Sequence, residues 1–117
     1  MEKQAINKFV RISAFKCREI TRLIQGKTVS EALALTALVP RKAARLVGET
    51  LRSAVANAEN DPNHQVSRED LVVKEATVGE APTLKRIRTK ARGMAGRVRK
   101  RSSHIRIVVS DDAGNRN

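Results

Sequence analysis

The sequence predicts an α+β domain in which a first strand precedes three helices and two further strands frame a long basic β-hairpin. Three observations predict this order. Apolar and charged residues alternate near the start, apolar residues recur at spacings of three and four in the middle, and an acid-free basic stretch lies between two apolar runs near the end. A chain of 117 residues has the usual length of one domain.

The first strand is predicted over residues 5–12, where apolar and charged side chains roughly alternate. Ser13 favours a helix start and Gly26 a helix end, so the first helix is predicted over about residues 14–25. Its apolar side contains Cys17, Ile20, Leu23 and Ile24. We expect this side to face a core built from aliphatic residues, because aromatic residues make up only 2% of the chain.

Two more helices and two strands follow. Ser30 is the predicted N-cap of a short helix that ends before Pro40, and a longer helix is predicted from Arg41 to about Asn60. The longer helix carries one apolar stripe, formed by Ala44, Val47, Leu51, Val55 and Ala58. Residues 70–80 and 105–109 have the β-branched, apolar composition of strands.

The stretch from Ala81 to Ser110 contains ten basic residues and no Asp or Glu, and seven of the ten are Arg. It lies between two predicted strands, so we expect a β-hairpin at about residues 79–105 with its tip at Gly93 and Gly96. An arm of a dozen residues would reach roughly 40 Å. Such a charged ribbon is marginal in water, whereas phosphate would neutralise it and hold it.

The totals restrict the class of protein. A formal net charge of +12 favours a polyanionic partner. The single cysteine, Cys17, suits a reducing compartment, and no apolar run approaches the ~20 residues that span a bilayer. His64 and His104 have no metal-ligand neighbours at suitable spacing, and no nucleophile stands with a base. We therefore expect no enzyme activity, no metal site and no cofactor.

The basic stretch has other possible interpretations. A disordered tail usually lies at a terminus, and a nuclear-localisation patch would explain only Arg97 to Arg101. A free-standing DNA- or RNA-binding module remains an alternative function. A cationic membrane-active protein is a third, but it needs apolar residues that the basic stretch mostly lacks.

Three stretches of the chain resemble ribosomal protein L twenty-two, a universal family of the large ribosomal subunit. The first is the run from Val10 to Ser13 followed by Lys16, Arg18, Ile24, Gly26 and Lys27, and the second runs from Ser53 to Asn60. The third and most specific runs from Gly79 to Arg86, through Arg92-Gly93, to Lys100 and Ile105. The resemblance extends from about Lys8 to Val109 in the family's short bacterial-type form.

This resemblance implies a three-stranded antiparallel sheet with three helices packed on it and a long protruding β-hairpin. It implies a structural protein that binds large-subunit ribosomal RNA during assembly, bridges RNA domains and lines the peptide exit tunnel with the hairpin tip. The RNA-binding candidates are Arg11, Lys16, Arg18, Lys85, Arg86, Arg88, Lys90, Arg92, Arg97, Arg99, Lys100, Arg101, Ser103 and His104. The tip candidates are Lys90, Ala91, Arg92, Gly93, Met94 and Ala95.

The implied partners are large-subunit ribosomal RNA, neighbouring ribosomal proteins, and the nascent peptide and macrolide antibiotics near the tip. We expect no membrane partner and no homo-oligomer. The implied location is the ribosome of the cytoplasm, with an organellar ribosome as the alternative. Residues 1–110 are expected to form one globular domain and residues 111–117 a flexible tail. The chain departs from the usual family pattern at Ala14-Phe15, Thr89, Met94 and Gly96.

Overall fold

The computed structural model describes residues 2–63, 66–81, 84–89 and 95–111, and for residues 84–89 and 95–100 it describes the backbone alone. The described elements are, in chain order, β1 (Glu2–Val10), α1 (Ala14–Ile24), α2 (Val29–Leu38), α3 (Lys42–Glu59), β2 (Val72–Glu80), β3 (Leu84–Thr89), β4 (Ala95–Lys100) and β5 (Ser103–Ser110). A single 3₁₀ turn, Arg68–Asp70, precedes β2.

Strands β1, β5 and β2 form a three-stranded antiparallel sheet with β5 in the middle. On one side of β5, Glu2 pairs with Ser110 and Asn7 with Ile105. On the other side, β2 pairs along its full length, from Val72 opposite Ser110 to Glu80 opposite Ser103. Together with the three helices, this sheet confirms the predicted fold class.

The helices cover one face of the sheet. Helix α3 lies against β1 and β5, α1 lies against β2, and α2 packs on α3 and α1. The largest fully buried side chains are aliphatic, and they include Ile20, Ile24, Leu51, Leu71, Ile105 and Ile107. The predicted stripe of α3 is confirmed, because Ala44, Val47, Leu51, Val55 and Ala58 are all buried. Both phenylalanines of the chain are exposed, so the core is aliphatic as expected.

Among the predictions about the helices, one cap is confirmed and two details are wrong. Ser13 does cap α1, since its Oγ accepts a hydrogen bond from the backbone N–H of Lys16 at 3.5 Å. The cap of α2, however, is Thr28, whose Oγ1 accepts from the N–H of Glu31 at 3.3 Å, and Ser30 lies inside the helix. Leu23 was predicted on the buried side of α1, but its side chain is 46% exposed.

The first strand begins and ends earlier than predicted. It begins at Glu2 because β5 offers a pairing partner as far as Ser110. Near its end the register shifts between Asn7 and Val10, and Phe9 adopts a left-handed backbone with φ of 56°. The N–H of Ile12 then donates to the carbonyl of Val10 at 2.8 Å, which closes a tight turn into α1.

Strands β3 and β4 form a separate two-stranded antiparallel ribbon, in which Leu84 pairs with Lys100 and Thr89 with Ala95. The ribbon continues β2 and β5, since the N–H of Ala81 donates to the carbonyl of Ser102 at 3.1 Å. The two strands pack chiefly on each other, and the molecule extends over 63 × 27 × 21 Å. Gly96 pairs with Arg88 inside β4, so it is a strand residue, and its prediction as a tip residue is wrong.

Candidate nucleic-acid interface

Positive charge is divided unequally between the helix-covered sheet and the ribbon. Residues 1–80 contain thirteen basic and ten acidic residues, whereas residues 81–110 contain ten basic and no acidic residues. Most of the net charge of +12 therefore belongs to the stretch that includes β3, β4 and β5. A nearby anionic partner would interact with this stretch first, because the two signs nearly balance elsewhere.

Several acidic residues of the body are paired with its own cations. Lys3 pairs with Asp61 at 3.2 Å, and Arg68 with Glu59 at 3.2 Å. Lys74 hydrogen-bonds Glu2, and this contact holds the pKa of the Glu2 carboxyl below its usual value. These body cations are already partly neutralised, whereas the sequence provides no acidic residue within the ribbon to do the same.

Cations lie on both faces of the ribbon. Because paired residues of an antiparallel ladder share a face and neighbours alternate, the backbone register separates the six basic residues of β3 and β4 into two sets of three. One face carries Lys85, Arg97 and Arg99, and the other carries Arg86, Arg88 and Lys100. A ribbon charged on both faces has no side suited to a protein core, and it suits a site enclosed by phosphates.

The tip candidates Lys90, Ala91, Arg92, Gly93 and Met94 lie outside the described residues. Ala95, the remaining tip candidate, begins β4.

Three of the predicted residues outside the ribbon are exposed. Arg101 lies in the short link between β4 and β5, Arg11 lies between β1 and α1, and Lys16 lies in the first turn of α1. The backbone of Arg11 is fixed, since its carbonyl accepts a hydrogen bond from the Lys42 ammonium at 3.2 Å. Val10 pairs with Ser103 across β1 and β5, so this end of the sheet brings both loops to the ribbon base.

Two predicted contacts have structural roles within the domain. The Arg18 guanidinium donates from Nε and from a terminal nitrogen to the carbonyl of Val78, at 3.2 and 2.9 Å, and so fastens α1 to β2. Ser103 is fully buried, with its Oγ 3.9 Å from the Cys17 sulfur. Burial raises the pKa of the Cys17 thiol more than this contact lowers it. Ser103 therefore offers no exposed surface to a partner, whereas the Arg18 side chain is only partly buried.

His104 lies on the sheet face opposite the helices, because its neighbours Ser103 and Ile105 point into the core. Its Nδ1 accepts a hydrogen bond from the backbone N–H of Phe9 at 3.1 Å. The two rings are perpendicular, with centroids 4.8 Å apart and an interplanar angle of 88°. Sequence reasoning missed Phe9, because an exposed aromatic in a strand is indistinguishable from a buried one until the register is known.

A second basic cluster lies on the helical side. Arg41, Lys42, Arg45 and Arg52 line a cleft of about 440 Å³ between α2 and α3, together with Thr36 and Pro40. Arg41 also pairs with Glu19 at 2.6 Å. From the sequence, these four residues are expected on a solvated helix face, with no indication of which of them meet phosphate, and the structure brings them together around this cleft. Asn57, farther along α3, is used within the fold, since its Nδ2 donates to the carbonyl of Gln4 in β1 at 3.1 Å.

Within residues 2–63, 66–81 and 101–111, no group of three His, Cys, Asp or Glu side chains is arranged to hold a metal ion. No helix in the described part of the chain has the length and apolar character needed to cross a membrane.

Comparisons with known proteins show the family to which the sequence is similar. Residues 5–110 match the family model described as Ribosomal protein L22p/L17e. The chain is 50% identical over 111 residues to the large ribosomal subunit protein uL22 of Halothermothrix orenii, covering 95% of this chain and 96% of the relative. It is 50% identical over 115 residues to that of Opitutus terrae, covering 98% and 100% of the two chains. Identity to the Pediococcus pentosaceus protein is 51% over 108 residues, covering 92% and 90%.

Proposed function

We propose, since this chain belongs to the L22p/L17e family of ribosomal proteins, that it is a structural constituent of the large ribosomal subunit whose basic ribbon binds ribosomal RNA. The family is one of structural proteins, not of enzymes. The observation that carries the RNA-binding proposal is the ribbon of β3 and β4, which has cations on both faces and no acidic residue in its sequence.

The mechanism is electrostatic and depends on shape. Each phosphate that a Lys or Arg contacts releases counterions, which favours binding at moderate salt. Arg predominates over Lys in the stretch from Ala81 to Ser110, and its planar fork suits bidentate contacts to phosphate and stacking on bases. A-form RNA hides its base edges in a deep groove. A fixed ribbon is therefore expected to contact phosphates and 2′-hydroxyls and to recognise the shape of the RNA.

The body would act as the anchor from which the ribbon extends. Arg11 and Arg101 lie in the two loops at the ribbon base, Lys16 is exposed in the first turn of α1, and the cleft with Arg41, Lys42, Arg45 and Arg52 offers a second basic surface. Because these surfaces belong to different elements, one chain could contact separate RNA segments at once. We infer that the protein bridges domains of large-subunit RNA during assembly, beside neighbouring ribosomal proteins.

The tip, from Lys90 to Ala95, is proposed to line the nascent-peptide exit tunnel, near the nascent chain and bound macrolide antibiotics. This part of the proposal rests on the family resemblance of the flanking residues, from Gly79 to Arg86 and from Lys100 to Ile105. The ribbon supports it because β3 and β4 extend the sheet beyond the pairing of Glu80 with Ser103, up to the pairing of Thr89 with Ala95.

Sucrose-gradient sedimentation of a cell lysate tests the assignment. The chain should migrate with large subunits at low salt and should be released from them by concentrated monovalent salt. A matched variant with Lys85, Arg97 and Arg99 changed to Gln should shift toward the top of the gradient at lower salt than the native chain. If the native chain stays at the top under all conditions, the protein is not a ribosomal component, and a free-standing RNA- or DNA-binding module becomes the better assignment.

A further inference from the structure

Phe9 is an exposed aromatic that the fold holds outside the core. Its side chain is 62% exposed, and the buried core among the described residues is built without any aromatic side chain. Its backbone φ of 56° lies in the left-handed region, which residues other than Gly, Asn and Asp seldom adopt. A strained backbone conformation persists only where contacts with the surrounding structure hold it, and such positions are concentrated at functional sites.

His104 is the group that fixes Phe9. The backbone N–H of Phe9 donates to Nδ1 of His104 at 3.1 Å, so this nitrogen carries no proton and the imidazole proton is assigned to Nε2. The rings meet edge to face, at an interplanar angle of 88°. In this arrangement, His104 can cover at most one face of the Phe9 ring.

The surface beside the two rings is open. Gly79 pairs with His104 across β2 and β5, and a Cβ added at Gly79 would meet no atom within 4 Å. Phe9, His104 and Gly79 therefore form a row across all three strands, on the sheet face that the helices leave uncovered. In the next row, Arg106 is held along the sheet by Gln4 Oε1 at 2.9 Å and Glu75 Oε2 at 3.1 Å.

The charges around this row favour a nucleic acid over an apolar protein surface. Lys8, Arg11 and Arg101 are exposed near its members in sequence, and Glu80 is the exposed acidic neighbour. An aromatic ring flanked by cations is the usual arrangement for stacking a splayed-out base while phosphates are bound nearby. Such sites accept any base, because every base has a π-face.

We propose that Phe9 forms a platform on which an unpaired base of large-subunit RNA stacks. His104 holds the Phe9 ring in place, and Gly79 leaves the surface beside the rings open. This platform rests on the proposed function and deepens it, because it assigns a base contact to a protein whose other surfaces suit phosphate. Phe9 is the contact residue, and His104 positions it.

Tryptophan fluorescence gives a direct test, because the native chain contains no Trp. The variant Phe9→Trp reports on the platform, and Phe15→Trp is a matched control at the only other Phe, which is 69% exposed on α1. The probes are a single-stranded RNA dodecamer, the same backbone with abasic riboses, and a duplex of equal length. Quenching at position 9 by the base-bearing single strand alone, with a much smaller response at position 15, is the expected result.

Affinity provides an independent test. Fluorescence anisotropy should show that the native chain binds the base-bearing dodecamer about fivefold or more tightly than the abasic one. Phe9→Leu keeps the apolar bulk but lacks a π-face, so it should abolish this preference, whereas Phe15→Leu should retain it. Circular dichroism of each variant verifies that the fold is kept, and Phe9→Tyr should restore the preference.

The outcomes separate this proposal from the proposed function. If the native chain binds RNA but neither position-9 measurement distinguishes base-bearing from abasic strands, the platform is wrong and ribosomal RNA binding stands. If position 9 responds in intact large subunits but not to protein-free large-subunit RNA, a protein neighbour covers Phe9 and the platform is again wrong. If the native chain binds no RNA, both proposals fail.

Discussion

Leu51 and Leu38 are the same residue type in neighbouring helices with opposite surroundings. Leu51 is fully buried on the stripe of α3, and Leu38 is 78% exposed at the end of α2. We expect Leu51→Ala to lower the free energy of unfolding by about 2–5 kcal/mol, because it removes packed atoms and leaves a cavity. Leu38→Ala should change it by less than about 0.5 kcal/mol. Urea denaturation of both variants measures the difference, and equal losses would contradict the packing of α3.

Cys17 is expected to be chemically silent in the folded protein. Its side chain is fully buried and burial raises the pKa of the thiol, so less of the reactive thiolate is present at any given pH. A disulfide reagent at mildly alkaline pH should therefore label the native protein far more slowly than the protein unfolded in urea. Comparable labelling rates in the two states would place Cys17 at the surface instead.

The burial of single side chains could be predicted from the sequence where helical periodicity decides it, and could not where the strand register decides it. The stripe of α3 and the burial of Cys17 followed from helical spacing. The exposure of Phe9 and the burial of Ser103 depend on a register shift in β1 and on pairing with a distant strand. Leu23 lies at the margin of the apolar side of α1, and only the position of the sheet determines that it is 46% exposed.

At the scale of elements, the start of α2 distinguishes the structure from the sequence prediction. Thr28 Oγ1 accepts from the N–H of Glu31, whereas the predicted cap, Ser30, is exposed within the helix. Thr28→Ala should therefore cost about 1 kcal/mol of stability. Ser30→Ala should have an effect within about 0.5 kcal/mol, since Ala favours helix interiors. Thermal denaturation compares them, and a larger loss for Ser30→Ala would restore the sequence-based prediction.

The error at α2 has a physical cause. Thr28 and Glu31 have the spacing of a capping box, but Ser30 offers an equally good capping side chain two residues later. The choice depends on pairing outside the helix, because Thr28 forms a bridge with Val72 and the Val29 N–H donates to the Leu71 carbonyl at 3.1 Å. The ends of β1 and the position of Gly96 in β4 were likewise decided by partner strands, which local patterns do not reveal.

The tip of the hairpin gives a separate prediction for an element. Deleting Arg92 to Ala95 should spare subunit assembly, since the body and the pairing of Glu80 with Ser103 are retained. It should alter macrolide sensitivity if the tip lines the exit tunnel. The measurement is the inhibitory concentration of a macrolide in cells that carry only the variant. Deletion of residues 112–117 is the control, and an unaltered drug response to the tip deletion would remove the tip from the tunnel wall.

For the whole molecule, the separation of a nearly neutral body from a cationic ribbon was predictable, because charge is read from the sequence without knowledge of the fold. The sheet order was not, because β1 and β5 pair across almost the whole chain, as Glu2 with Ser110. The arrangement of the four basic residues around the α2–α3 cleft and the row of Phe9, His104 and Gly79 also arise only when distant elements meet.

The salt dependence of RNA binding tests the central claim, that the ribbon carries the phosphate contacts. Two variants lose the same charge. In one, Lys85, Arg97 and Arg99 on one face of the ribbon become Gln. In the other, Lys3, Arg68 and Lys74, which are paired with carboxylates in the body, become Gln. Filter binding to large-subunit RNA over a series of salt concentrations gives the slope of log affinity against log salt.

Each lost phosphate contact should reduce the slope by roughly 0.7–0.9. The ribbon variant should therefore bind with a slope shallower by about two units, and the body variant with a slope close to that of the native chain. Equal slopes for the native chain and the ribbon variant would contradict the account.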